Sequence, residues 1–327
     1  MNDLYDRISQ IGIVPVVKIL EAEDALPLAK ALYNGGIDVA EVTFRSEHAV
    51  NAIQQIHSEL PDMLLGAGTV LTIEQAKQAK QAGASFIVTP GLNPNIVKWC
   101  LENEIPVLPG VSTASEIEQA LSLGLKTLKF FPAESSGGAK KLKDFSGPYQ
   151  DVQFLPTGGI NVSNMHDYLQ LPNVIAIGGS FMLPNDVVQA KDWENIQALS
   201  GKAIKSLLDY QLIHVGINCD SPDESEKVCK LLCQLFHFTY YKKPKSNFAG
   251  VGFEVLHSHG RGQNGHIGIY TPYPERALYQ LKKMGIHVVE ESITRNKKSH
   301  LINFAYLDLE IAGFGVHLIN PDLKMEV

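Results

Sequence analysis

The chain has 327 residues, 45% of them hydrophobic and 19% charged, with a formal net charge of −7. That length makes two domains the working expectation, and the acidic balance disfavours nucleic acid or an anionic membrane as the main partner while leaving room for a local cationic pocket. The opening run MNDLYDRISQIGIVPVVKIL has no secretion-signal pattern and too short an apolar stretch to span a bilayer, and four cysteines form no disulfide framework, so a cytoplasmic setting is expected.

In chain order, short β-branched runs alternate with amphipathic stretches of helix length as far as residue 208. Strands are expected at Ile13–Ile19, Val39–Phe44, Leu64–Val70, Phe86–Pro90, Val107–Val111, Thr127–Pro132, Gln153–Thr157 and Val174–Gly178. Helical patterns lie between them, such as Ala25–Tyr33 before Asn34-Gly35-Gly36 and Glu74–Ala82 before Gly83. Glycine enters the left-handed region cheaply and is the usual helix stop. Strict alternation implies parallel strands with right-handed crossovers. Eight such strands point to a small (β/α)8 barrel, a TIM barrel, with a doubly wound open sheet as the alternative.

A barrel carries its chemistry at the carboxyl ends of its strands. Side chains in a strand alternate faces, so Glu41, Thr43 and Arg45 share one face and Val42 and Phe44 the other. The apolar pair must face the helices, which turns the acid and the guanidinium toward the axis. The same count sets Thr127, Lys129 and Phe131 inward, so three ionisable groups are expected in one enclosed volume. A purely structural ion cluster would add little stability, and a strand-end lysine can also reach water along its stem. At this end of a barrel a chemical role is the better account. An amine among apolar and aromatic neighbours loses hydration, and a nearby cation acts the same way; both favour the free amine that attacks a carbonyl. Lys129 reads as a Schiff-base nucleophile, Arg45 as a bidentate carboxylate clamp and Glu41 as a proton shuttle. Gly158, Gly159, Gly178, Gly179 and Ser180 follow the seventh and eighth strands, where barrels often hold phosphate on bare main-chain N–H groups.

The motifs Glu41-Val-Thr-Phe-Arg45, Gly66-Ala-Gly-Thr-Val70, Thr89-Pro-Gly-Leu92, Pro109-Gly-Val-Ser-Thr113, Leu128-Lys-Phe-Phe-Pro-Ala-Glu134, Pro156-Thr-Gly-Gly-Ile160 and Ile177-Gly-Gly-Ser180 follow in one order along residues 1–208. Together they resemble the 2-keto-3-deoxy-6-phosphogluconate / 4-hydroxy-2-oxoglutarate aldolase family. The resemblance implies a class I aldolase barrel, usually a homotrimer, that needs no cofactor for the aldol step. It implies that Lys129 forms an imine with the C2 ketone of a 2-oxo acid, that Glu41 moves protons, and that C3–C4 cleavage leaves pyruvate. The second product is glyceraldehyde 3-phosphate, or glyoxylate from the shorter substrate. It further implies that Arg45 and Thr69 contact the carboxylate, Pro90 and Phe131 line that end, Thr157 contacts substrate hydroxyls, and the glycine pairs with Ser180 hold phosphate. Lys18 stands where many relatives carry arginine. A related phosphate-free or galactonate-type substrate is the alternative, and a sugar-phosphate-binding protein is the reading outside enzymes.

After a helical stretch at Asp192–Tyr210 the rhythm changes. His214-Val-Gly-Ile217 followed by helical Glu224–Phe236 is repeated as His266-Ile-Gly-Ile269 followed by helical Pro274–Gly285. That spacing accommodates one βαβββ module per repeat. Further strands are expected at Phe248–Leu256, Ile302–Leu309 and Gly315–Ile319. Residues 211–327 resemble the glyoxalase/bleomycin-resistance/dioxygenase group, the vicinal oxygen chelate proteins. The resemblance implies a divalent metal held by His214, Glu254, His266 and His317, with His317 standing where the group usually has glutamate. A binding or dimerisation role is expected for this domain ahead of a separate activity.

Overall fold

A computed structural model of the chain describes residues 2–320. It divides into two compact units, one ending at Leu207 and the other beginning at Leu208. The first unit holds eight parallel strands: β1 (Ile13–Val17), β2 (Val39–Thr43), β3 (Leu64–Gly68), β4 (Phe86–Thr89), β5 (Val107–Val111), β6 (Thr127–Phe130), β7 (Gln153–Pro156) and β8 (Ile177–Gly179). Their order is β7-β6-β5-β4-β3-β2-β1-β8. Bridges Phe154↔Val174 and Thr157↔Gly178 bring the β8 side back to β7, so the sheet is a nearly closed barrel and not an open one. Almost every strand residue is buried, as a parallel sheet inside a ring of helices requires.

Several strands stop one or two residues short of the expected ends, because Lys18, Phe44, Thr69, Pro90 and Phe131 leave the ladder to build the barrel mouth. The eighth strand runs Ile177–Gly179 in place of Val174–Gly178, with Val174 making only an isolated bridge. The helices Ala25–Asn34 and Ile73–Gln81 lie where expected, the latter capped by Thr72, whose Oγ1 accepts from the Gln75 N–H at 3.1 Å. An additional helix, Asn2–Ile11, precedes β1 and buries Ile8 and Ile11 completely. It was not expected. Its Ile8 and Ile11 fall at helical spacing, three residues apart on one face, a signal too short to stand out in the sequence.

The second unit contains β9 (Gln211–Ile217), the helix Pro222–Phe236, then β10 (Tyr240–Lys242), β11 (Ser246–Ala249) and β12 (Phe253–Leu256). The pattern then repeats as β13 (Gly265–Tyr270), the helix Pro274–Lys283, β14 (Thr294–Arg295), β15 (Ile302–Ile311) and β16 (Phe314–Ile319). Both halves are thus βαβββ modules. The sheet order is β10-β11-β12-β9-β13-β16-β15-β14, so each module places its fourth strand beside its first. The first strands, β9 and β13, pair antiparallel and join the modules edge to edge. The single strand expected at Phe248–Leu256 is two, because Gly250, at φ +62°, turns the chain between β11 and β12. Among the described residues no helix is long and apolar enough to cross a membrane.

Candidate active site

Glu41 on β2 and Lys129 on β6 meet inside the barrel. The ammonium donates to both carboxylate oxygens, at 3.0 and 3.1 Å, with Lys129 5% and Glu41 1% exposed. The strands between them carry small residues at inward positions. Gly66 lies opposite Glu41 and Gly110 opposite Lys129 in the register. Gly68 matters most: a Cβ there would sit 2.3 Å from Glu41 Oε1 and 2.5 Å from its Cγ. The acid reaches the lysine by lying across space that any other residue at 68 would fill. The Lys129 ammonium also stands 5.4 Å from the centre of the Phe131 ring.

Arg45 does not join this enclosed pair. Three converging ionisable groups were expected, but β2 ends at Thr43, and Arg45 lies beyond it, exposed at the rim. Its Nε donates to Thr69 Oγ1 at 3.2 Å. The close neighbour of the amine is therefore an acid. A proton leaving the nitrogen has an acceptor 3.0 Å away. Thr69 has φ +55°, a left-handed conformation that strains a β-branched residue by about 1–3 kcal/mol and is tolerated mainly where function needs it.

The residues expected to bind substrate fall into two groups. Lys18, Arg45 and Ser180 line one cavity of about 340 Å³ with Val16 and Thr43, which places two cations and a hydroxyl around the same space. Asn185 and Gln189 line it as well. Sequence reasoning missed both, since they lie past the eighth strand in a segment without a motif. Thr157, at the end of β7, is buried with no hydrogen-bond partner for its Oγ1, which sits against Gly178. A buried hydroxyl left unpaired is suited to a ligand. Gly158 and Gly159 adopt φ of +106° and +81° beside the chain that leaves β6, where Ala133 N–H and Glu134 N–H donate to Thr157 and Gly158 carbonyls at 2.8 and 3.1 Å. Glu134 covers Gly159 and accepts from the Tyr168 hydroxyl. Pro90 is half-buried after β4, and Gly179 is buried at the end of β8.

A second constellation lies in the other unit. Nε2 of His214 (β9) is 3.1 Å from Nε2 of His266 (β13) and 3.1 Å from Nε2 of His317 (β16). Oε2 of Glu254 (β12) is 3.2 Å from His266 Nε2 and 3.6 Å from His214 Nε2. Burial and the two neighbouring imidazoles hold His317 neutral, its pKa pushed down to about 3. Burial pushes the Glu254 carboxyl up, but hydrogen bonds from His266 and Ser246 outweigh that and hold it down at about 2. The repeated His-x-Gly motif has a steric cause. In the register His266 lies opposite Gly216 and His214 opposite Gly268. A Cβ at Gly216 would come within 2.2 Å of the His266 ring, and one at Gly268 within 2.5 Å of the His214 ring. Each module thus supplies the seat for the other module's imidazole.

The family model described as KDPG and KHG aldolase matches residues 4–199. The 2-dehydro-3-deoxy-phosphogluconate aldolase of Haemophilus influenzae is 46% identical over 208 residues, 64% of this chain and 96% of the relative. The KHG/KDPG aldolase of Escherichia coli is 46% identical over 193 residues, 59% of this chain and 91% of the relative. Among solved structures, the KDPG aldolase of Legionella pneumophila, with pyruvate captured at low pH as a covalent carbinolamine intermediate, superposes with a TM-score of 0.59 at 41% identity, covering 61% of this chain and 97% of that one.

Proposed function

The chain belongs to the KDPG and KHG aldolase family and is a carbon–carbon lyase of class I; from that premise we propose that it cleaves 2-keto-3-deoxy-6-phosphogluconate to pyruvate and glyceraldehyde 3-phosphate, with Lys129 as the nucleophile and Glu41 as the proton carrier. The observation that carries these roles is the buried contact of the Lys129 amine with both Glu41 oxygens. Lys129 adds to the C2 ketone, and loss of water gives a protonated imine. Glu41 takes the C4 hydroxyl proton, directly or through a water. The C3–C4 bonding pair passes into the imine, the aldehyde departs, and the enamine gains a proton at C3 before hydrolysis frees pyruvate. Arg45 and Thr69 bind the carboxylate, with Pro90 and Phe131 lining that end. Thr157 bonds a substrate hydroxyl. Lys18, Ser180 and the glycines 158, 159, 178 and 179 receive the phosphate. The same chemistry without the phosphate extends to 4-hydroxy-2-oxoglutarate, giving glyoxylate.

A pyruvate assay coupled to an NADH-consuming dehydrogenase, run on the phosphorylated substrate, its C4 epimer and the phosphate-free acid, tests the reading through their kcat/KM values. No pyruvate from any of them overturns it. In the same assay Ser180→Ala raises KM for the phosphorylated substrate about tenfold or more, as a hydrogen bond to a charged group is worth about 1.5–3 kcal/mol. The phosphate-free substrate is unaffected; an equal loss on both removes Ser180 from the phosphate site. We further propose a cytoplasmic homotrimer, whose mass light scattering measures.

For the second unit we infer a domain of the glyoxalase/bleomycin-resistance/dioxygenase type that holds a divalent metal through His214, Glu254, His266 and His317. The donor set fits such an ion. Ligand atoms bound tetrahedrally at about 2.0–2.1 Å stand about 3.3 Å apart; here His214 Nε2 lies 3.1 Å from each of the other two imidazole Nε2 atoms, and Glu254 Oε2 lies 3.2 Å from His266 and 3.6 Å from His214. Three imidazole nitrogens face one point, where a single cation can accept a lone pair from each of them. A divalent ion there supplies an electrophilic centre for an oxygen ligand. Gly268→Ala pushes the His214 ring out of the cluster and lowers metal affinity about 10–100-fold, by analogy with other groups that orient ligands. Competition with a chromophoric chelator measures this, and circular dichroism verifies the fold.

A further inference from the structure

We infer that this histidine-rich centre selects late first-row divalent ions over magnesium and calcium, and that His317 is the residue that sets the selection. The inference rests on the metal reading above. Three of the centre's donors are imidazole nitrogens and only one is a carboxylate oxygen. Magnesium and calcium take oxygen ligands, six for the former and six to eight for the latter, whereas imidazole suits iron, nickel, copper and zinc.

The single carboxylate is itself restricted. Ser246 Oγ donates to Glu254 Oε1 at 2.7 Å, which leaves Oε2 as the oxygen turned to the imidazoles. The centre therefore offers one anionic oxygen, too few for a hard cation. The imidazole set is equally fixed. His317 is 1% exposed, with its ring 4.6 Å from that of Phe304 and 5.2 Å from that of Tyr306. His214 packs edge-on against Phe248 at 6.5 Å. The other two rings lie over Gly216 and Gly268, so all three imidazoles are packed into the centre. His317 stands apart from the other two histidines: it lies on the last strand of its module, the position matched in the first module by Glu254 on β12. A carboxylate at 317 would make the two halves alike, two imidazoles and two carboxylates, and would neutralise a divalent charge.

The test uses the full-length untagged chain, stripped with chelator and then dialysed separately against zinc, nickel, cobalt, manganese, magnesium and calcium, with bound metal counted by mass spectrometry. Zinc, nickel and cobalt bind at one equivalent per chain, with a preference over magnesium and calcium of at least about a hundredfold. Cobalt gives a visible d–d spectrum that His214→Ala and His266→Ala abolish. His317→Glu narrows the zinc-to-manganese ratio by at least about tenfold, and His317→Gln, which changes less of the packing, lowers zinc and nickel affinity about 10–100-fold. Failure of every ion to bind removes the metal reading and this inference with it. Magnesium or calcium binding as tightly as zinc overturns the selectivity alone. An unchanged zinc-to-manganese ratio in a folded His317→Glu, or unchanged zinc affinity in His317→Gln, removes His317 as the selecting residue.

Discussion

Lys129→Ala lowers kcat/KM for pyruvate release by at least about 10⁵-fold, because the covalent route disappears and enzymatic accelerations start near about 10⁶. The side chain is the only amine held against the Glu41 carboxylate among the described residues, and a neighbouring surface lysine cannot replace an amine that is 5% exposed within the barrel. Truncation also leaves Glu41 buried without its partner, which costs about 3–5 kcal/mol of stability. Circular dichroism and thermal melting of the variant therefore accompany the assay. The wild-type chain supplies an independent measurement: borohydride with pyruvate traps a carboxyethyl adduct on the peptide that carries Lys129. An adduct on another lysine, with the Lys129 peptide unmodified, would contradict the imine mechanism whatever the variant does.

Glu41→Gln reduces kcat by about 10²–10⁴-fold, the range for loss of a positioned acid–base group, with KM changed only a few-fold. The amide has the size of the acid and fits the same space over Gly68, so the packing survives while the proton acceptor is lost. Two readouts separate this from a general loss of structure. Trapping by borohydride still occurs, at a slower rate, and the exchange of pyruvate methyl protons with deuterated solvent slows in parallel with cleavage. A variant within tenfold of wild type would assign proton transfer to some other group.

Much of the barrel was legible because short β-branched runs and amphipathic stretches of helix length alternate eight times and leave few topologies. The Glu41 and Lys129 pairing was legible as well, since a strand's two-residue period decides which face each side chain takes. What failed was the extrapolation of that period beyond the strand. Counting from Glu41 sets Arg45 inward, but the ladder ends at Thr43, and two residues of irregular backbone take the guanidinium to the rim. The split between β11 and β12 failed for a related reason. The expected strand Phe248–Leu256 runs through Gly250 and Gly252, and only the backbone dihedral of Gly250 reveals a turn. The His-x-Gly repeat marked the second centre by eye, yet the role of its glycines depends on which strand lies opposite, and a register between residues some fifty apart leaves no local trace.

The way Glu41 rests on Gly68 also limits how this centre can vary. Positions 41 and 68, on adjoining strands, behave as one volume shared by two residues. A shorter acid at 41 would open a void that a methyl at 68 could occupy, and a methyl at 68 with the present acid would displace the carboxylate from the amine. Redesign of the acid therefore begins on the neighbouring strand.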